Sequence, residues 1–192
     1  MTIKLKFTVE EYFAAHRTLF NLISSSDINN AIDAIALKFN EGKKILVCGN
    51  GGSAMNASHY ITDWNKMISI ATGRKFHGIS LTDNIGLITA FANDYDFDDI
   101  FVGQLKSILN PGDLVIGLSG SGNSKNVINA INYANANDAS TLCIVGYDGG
   151  ILKKISNIYV HIPSFDMQLC EDFHLMFGHM VMKSLCGYSI SM

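Results

Sequence analysis

Proline, charge and cysteine are all scarce in this chain. It has 192 residues with only 2 prolines and 16% charged residues. Lys and Arg total 14 against 17 Asp and Glu, so there is no basic excess to neutralise a phosphate backbone, and nucleic acid is not an expected ligand. The four cysteines, Cys48, Cys143, Cys170 and Cys186, are far apart and form no CxxC. Cys48 and Cys143 fall in apolar, strand-like runs, so the cysteines read as reduced core residues of a cytoplasmic protein. No run of about 18 uninterrupted apolar residues occurs, so no spanning helix and no membrane partner are expected. The opening stretch, Met1 to Glu11, is charged and lacks an apolar run with a small-residue cleavage site, so no targeting leader is expected. Long linkers, low-complexity tracts and internal repeats are missing as well.

What is present is 48% hydrophobic residues. At about 150 residues per domain the length fits one domain, spanning 1–192. That is enough chain to bury a core without disulfides or a structural metal, and the composition excludes a disordered or collagenous chain. In the first forty residues, Phe7, Tyr12, Phe13, Leu19, Phe20, Leu22 and Ile23 recur at helical intervals. Asp27 is placed to cap a second helix carrying Ile32, Ile35, Leu37 and Phe39, which stops at Asn40-Glu41-Gly42. Residues 1–42 thus form a helical N-terminal extension, and 43–192 an α/β core. Short apolar runs follow at 44–48, 78–81, 114–118, 141–145 and 158–162, with helix-length segments between most of them. Continuous apolar strands separated by helices imply a parallel sheet covered on both faces, a three-layer αβα sandwich. The last helix runs from about Asp166 to about Cys186. It is apolar around much of its circumference, so it lies deep in the domain or in a subunit interface.

Ligands in open parallel sheets bind beyond the carboxyl ends of the strands. Two turns sit there: Gly49-Asn50-Gly51-Gly52-Ser53-Ala54 and Ser119-Gly120-Ser121-Gly122-Asn123-Ser124. Each leads into a helix whose free N–H groups and positive dipole end suit an anion. Glycine lets the backbone come close, and serine hydroxyls add donors. The first turn fits G-x-G-x-x-G/A, but the nearest acid that could end a second strand, Asp83, comes about thirty residues later rather than the about twenty a dinucleotide fold wants. Neither turn has the Lys of a nucleotide-binding Walker loop.

His59 and Asp63 are i, i+4 on a helix predicted over 53–67 and share a face, a pairing that suits a zinc-like ion or a plain surface pair. The last helix carries Glu171, Asp172, His174 and His179. Asp172 and His179 are seven apart and nearly eclipsed, whereas Glu171 and His179 are roughly 80° apart around the helix and about 12 Å apart along it. Spacing alone does not select Glu171. Asn93-Asp94, after a helical segment over 85–92, could hydrogen-bond sugar hydroxyls. His16, His77 and His161 show no partner pattern.

Taken in order, Cys48-Gly49-Asn50-Gly51-Gly52-Ser53, Ala92-Asn93-Asp94, Ser119-Gly120-Ser121-Gly122-Asn123-Ser124 and Glu171-Asp172-Phe173-His174 with His179 resemble the sugar isomerase (SIS) domain proteins, in particular the phosphoheptose isomerase family. The resemblance covers nearly the whole chain. It implies a flavodoxin-like, five-stranded parallel sheet, a homotetramer with active sites between subunits, and a zinc ion. The implied reaction turns sedoheptulose 7-phosphate into D-glycero-D-manno-heptose 7-phosphate, for lipopolysaccharide or capsule heptose. Asn50, Gly51, Gly52 and Ser53 would contact the sugar phosphate. Ser119, Gly120, Ser121 and Ser124 would hold the phosphate itself, and Asn93 and Asp94 would meet the sugar chain. His59, Asp63, Glu171 and His179 fall at the metal-ligand positions, with Asp63 as base and His179 as acid. The chain departs from the family pattern at Asp63, usually glutamate, at Glu171, usually glutamine, and at Gly120, often threonine. A rival expectation is a non-catalytic SIS protein, because a relative that associates with the bacterial replication initiator also carries a segment like Tyr147-Asp148-Gly149-Gly150.

Overall fold

A computed structural model describes residues 6–191. Residues 1–5 of the expected N-terminal extension lie outside the described residues. The chain opens with α1 (Val9–Leu22) and α2 (Ser25–Asn40). The first is started by a capping box in which Thr8 Oγ1 accepts from the Glu11 N–H and Glu11 accepts from the Thr8 N–H. The second is capped by Ser24, whose hydroxyl accepts from the Asp27 N–H, so the cap lies three residues before the expected Asp27. Asp27 sits instead in the first turn, where its charge favours the helix dipole.

The α/β core then runs β1 (Ile45–Gly49), α3 (Gly52–Asp63), α4 (Ser69–Thr72), β2 (Gly78–Ser80), α5 (Ile85–Asp94), α6 (Val102–Ile108), β3 (Leu114–Ser119), α7 (Lys125–Ala136), β4 (Ser140–Val145), α8 (Leu152–Ile155), β5 (Ile158–His161) and α9 (Met167–Cys186). The five strands pair in parallel in the order β2-β1-β3-β4-β5, the flavodoxin-like arrangement. Their continuous apolar runs are explained by helices on both faces. Ile45, Val47, Leu114, Ile116, Leu142 and Ile144 face a core shared with α2, α3 and α9. Leu46, Cys48, Val115, Cys143 and Val145 face a second core shared with α6 and α7. The strict alternation follows from the two-residue period of a strand.

Two features shape the site. The chain leaves β1 toward β2 on one side and crosses back to β3 on the other, so the switch point falls between β1 and β3. Their registered ends, Gly49 beside Leu118, put the two glycine-serine turns next to each other. The helix expected over 53–67 is regular only to Asp63 and widens into a π turn, Trp64–Ile68, before α4. Such widenings recur at functional sites. α9 runs from its Asp166 cap to Cys186 as expected and buries Leu169, Phe173, Phe177 and Val181. It therefore lies deep in the fold, packed along α3. Asn93 and Asp94 form the last turn of α5 rather than a following loop.

Candidate active site

The two turns enclose a pocket of about 240 Å³ at the switch point, lined by Asn50, Gly51, Gly52, Ser53, Ser119, Gly120, Ser121 and Ser124, with Met167 and Glu171 closing one side. Neither lysine nor arginine lines it, so the groups that favour an anion there are amides, hydroxyls and two helix N-termini, those of α3 and α7, and the one charged lining group, the Glu171 carboxylate, opposes it. Ser124 stands at the N-cap of α7 without bonding the helix, and its hydroxyl lies 3.1 Å from that of Ser119. The turn is self-braced: Ser119 Oγ accepts from the Gly122 N–H, and Ser121 Oγ accepts from the Asn123 N–H.

The bracing between turns comes from residues that periodicity does not mark. Asn50 and Asn126 exchange side-chain amide bonds of 2.8 and 2.9 Å, which tie the end of β1 to the start of α7. Gly122 packs back to back with Gly149 and Gly150, so that a side chain on Gly122 would sit 2.5 Å from the Gly149 carbonyl carbon. The Leu152 N–H also donates to the Gly122 carbonyl. Tyr147-Asp148-Gly149-Gly150 thus serves the phosphate-type turn here. An Asn two residues past a GSGNS turn and a Gly-Gly pair after β4 are the signals that would have found these braces.

Further along α3 stands a second group. His59 Nε2, Asp63 Oδ2 and His179 Nε2 all lie within 4.8 Å of one another. Their separations are 2.9 Å between the two imidazoles, 3.5 Å from Asp63 to His59 and 3.8 Å from Asp63 to His179. Tetrahedral zinc with bonds of about 2.0–2.1 Å has ligand-to-ligand edges of about 3.4 Å, so this donor set fits such an ion. Two imidazole nitrogens pointed at each other and at one carboxylate are otherwise an awkward arrangement, because at most one proton can lie between the rings.

Glu171 stands apart from this cluster. Its carboxylate lies against Gly52 at the start of α3, where a side chain on Gly52 would collide with it, and its main-chain carbonyl accepts from Asn56. Asp172, which spacing paired with His179, turns instead to α1 and accepts from the Tyr12 hydroxyl at 2.6 Å, with His16 Nε2 at 3.0 Å. That bond, then burial, pushes the Tyr12 hydroxyl up to about 12. His16 thereby gains the partner that its sequence context did not reveal. Asn93 and Asp94 do not line the pocket; both are exposed, and the Asn93 amide donates to Asp94.

His174 is fully buried on the α3-facing side of α9. Burial pulls its pKa down to about 4, against a smaller upward pull from the Ile144 main chain, so the ring is neutral. α3 and α9 are pinned together around it. The Tyr60 hydroxyl donates to the His174 carbonyl, and the Trp64 indole donates to the Gly178 carbonyl at 2.9 Å.

A parallel sheet with two glycine-serine turns meeting at its switch point defines an open α/β ligand-binding class of domain, and the chain belongs to the SIS domain family, whose sequence profile matches residues 11–146. Within it, the chain is similar to phosphoheptose isomerases. That of Aliarcobacter butzleri is 34% identical over 90% of this chain and 92% of its own length, and that of Geobacter metallireducens is 39% identical over 73% and 74%. Among solved structures, the phosphoheptose isomerase of Neisseria gonorrhoeae superposes with a TM-score of 0.85 at 27% identity, covering 92% of this chain and 96% of that one.

Proposed function

We propose that this chain, as one SIS domain, interconverts sedoheptulose 7-phosphate and D-glycero-D-manno-heptose 7-phosphate. The observation that carries this reading is the layout of α3. Its first turn opens into the glycine-serine pocket, and His59 lies seven residues further on, about 10 Å along the axis. An extended seven-carbon sugar phosphate is of comparable length. Its phosphate would rest on Ser119, Gly120, Ser121, Ser124 and the Asn50–Ser53 turn, with its carbonyl end at His59, Asp63 and His179. Binding energy gathered at the phosphate then orients the reacting carbons.

In the ketose-to-aldose direction Asp63 takes a proton from C1, the hydroxyl-bearing carbon beside the C2 carbonyl. The C2 oxygen gains a proton as an enediol forms. Returning a proton to C2 while the C1 hydroxyl gives one up leaves the aldehyde at C1, and His179 serves as the acid. The residues that would hold a zinc ion are His59, Asp63 and His179; Glu171, expected as a further ligand, lies instead against Gly52 at the start of α3. When bound, the ion polarises the two oxygens and stabilises their negative charge. The product suits heptose supply for lipopolysaccharide or capsule.

The protein is further proposed to be a cytoplasmic homotetramer with its sites between subunits. Support comes from apolar side chains left open on the single chain, among them Phe13 and Leu22 of α1 and Ile85 and Tyr95 at the two ends of α5. Asn93 and Asp94, outside the pocket of their own chain, fit a role in a neighbour's site. All four cysteines are free, in keeping with a reducing compartment. The test is aldose formation from sedoheptulose 7-phosphate with and without added zinc, paired with elemental analysis. No product under either condition would overturn the reading in favour of a non-catalytic sugar-phosphate binder.

A further inference from the structure

We infer that His174 is a positioning residue that fixes the hydroxyl of Ser53 toward the pocket ligand, an inference that rests on the sugar-phosphate reading of that pocket. A histidine with no exposed surface is a costly occupant of a helix packed among Leu169, Phe173 and Phe177. Among the described residues its ring has one side-chain hydrogen-bond contact, beside the weaker influence of the Ile144 main chain. Nδ1 lies 3.4 Å from Ser53 Oγ, and Nε2 meets no partner. Ser53 in turn is 4% exposed, and it stands in the first turn of α3 as part of the pocket wall.

The contact depends on close packing: Gly49 lets the first turn of α3 come near β1, because a side chain at Gly49 would sit 2.9 Å from Ser53 Cβ. Bonds from Asn56 and Tyr60 to the Glu171 and His174 carbonyls hold α3 and α9 at the same level. A serine hydroxyl is a free rotor unless a neighbour takes one of its roles. A neutral imidazole takes one in either tautomer. If Nδ1 carries the proton, Ser53 donates outward to a phosphate or carbonyl oxygen. If Nδ1 is bare, Ser53 turns its lone pairs to a sugar hydroxyl. Both cases remove the rotor's freedom before the ligand arrives, which is the meaning of preorganisation at a binding site.

The test is a mutant cycle read by KM and kcat on sedoheptulose 7-phosphate with the zinc-supplemented full chain. His174→Leu should raise KM roughly 3- to 10-fold, the worth of one hydrogen bond, with kcat changed less than about twofold. In a Ser53→Ala background the same substitution should raise KM no further. His174→Asn, whose amide falls near the Nδ1 position, should recover most of the loss. If His174→Leu does not fold, His174→Gln replaces it, because that amide falls near Nε2 and leaves Ser53 unpartnered. An equal KM rise with and without Ser53, or no recovery with Asn, would assign His174 to packing alone and overturn the inference. A wild-type chain without turnover would overturn the reading of the site, and this inference with it.

Discussion

Adding one methyl group to Gly122 should damage both stability and substrate binding, and the size of the damage follows from two separable causes. The residue sits at φ +66°, and a side chain there would lie 2.5 Å from the Gly149 carbonyl carbon and 3.0 Å from the Gly150 nitrogen. Both obstacles are main chain, so no rotamer change relieves them. The left-handed backbone costs about 1–2 kcal/mol for a residue with Cβ, and forcing atoms into a filled space costs about 1–3 kcal/mol more. Gly122→Ala should therefore lose about 2–5 kcal/mol, and at about 2–4 °C per kcal/mol for a chain of this size its Tm should fall by at least about 4 °C. Relief comes only by parting the Ser119–Ser124 turn from the Gly149–Gly150 segment. That motion breaks the bonds from Leu152 N–H to the Gly122 carbonyl and from Ile151 N–H to Asn123. Ser121, in the same turn, moves with it, and KM should rise. Gly42 supplies the control. It has the same φ of +66° with nothing within 4 Å of a Cβ, so Gly42→Ala should show the backbone cost alone and leave KM untouched. Thermal unfolding and steady-state kinetics on both variants decide the matter. Equal stability losses, or a wild-type KM for Gly122→Ala, would refute the close approach of the two turns.

The remaining expectations concern chemistry and pH. Ser121→Ala should chiefly raise KM, measured with sedoheptulose 7-phosphate, while kcat stays close to the parent value. His179→Ala should chiefly lower kcat, by about 10²–10⁴ for loss of a proton-transfer group, and should lower the zinc found by elemental analysis; near-normal turnover would exclude His179 as the acid. His174 gives stability a pH dependence: unfolded, the ring takes a proton near 6.5, but folded only near 4, so the unfolded state binds more protons in between. Stability should fall by about 3 kcal/mol as pH drops from about 6.5 to about 4 and level off below. Urea unfolding across that window should show a shallower slope for His174→Asn, and identical slopes would contradict a neutral buried ring.

The sheet was readable because parallel strands buried on both faces announce themselves as unbroken apolar runs, and Leu114 to Leu118 or Thr141 to Val145 need no partner information to be recognised. The meeting of the two glycine-serine turns was readable for a related reason: both follow strands of a parallel sheet, and the carboxyl ends of β1 and β3 lie side by side. Ligand geometry across α9 was harder. Seven-residue spacing matched Asp172 to His179, yet Asp172 is claimed by Tyr12 and His16 from a helix about 160 positions earlier in the chain. A helical wheel cannot show which neighbour occupies each face. The same limit hid Asn126, whose role exists only because β1 and β3 are adjacent, and the π turn after Asp63, which no residue in Trp64–Ile68 marks.

The pairing of α3 with α9 explains how so few side chains join two distant tasks. The rungs between them, Asn56 to Glu171, Tyr60 to His174 and Trp64 to Gly178, advance together along both helices, so the two run in parallel. Each rung uses a side chain from α3 or the π turn that follows it and a main-chain carbonyl of α9, which leaves the α9 side chains free for other work. Gly178 matters here because a side chain at that position would collide with the Tyr60 ring, holding the helices apart. Close approach at Gly178 is what lets the adjacent His179 reach His59 and Asp63. Meanwhile the N-terminal end of the same helix pair meets the sheet at the switch point, where Gly52, Ser53 and Glu171 form one wall of the anion pocket. A rigid parallel pair of this kind fixes the distance between the glycine-serine pocket and the His59, Asp63 and His179 cluster. On the proposed function, substrate length would then be selected by helix geometry, rather than by any single contact.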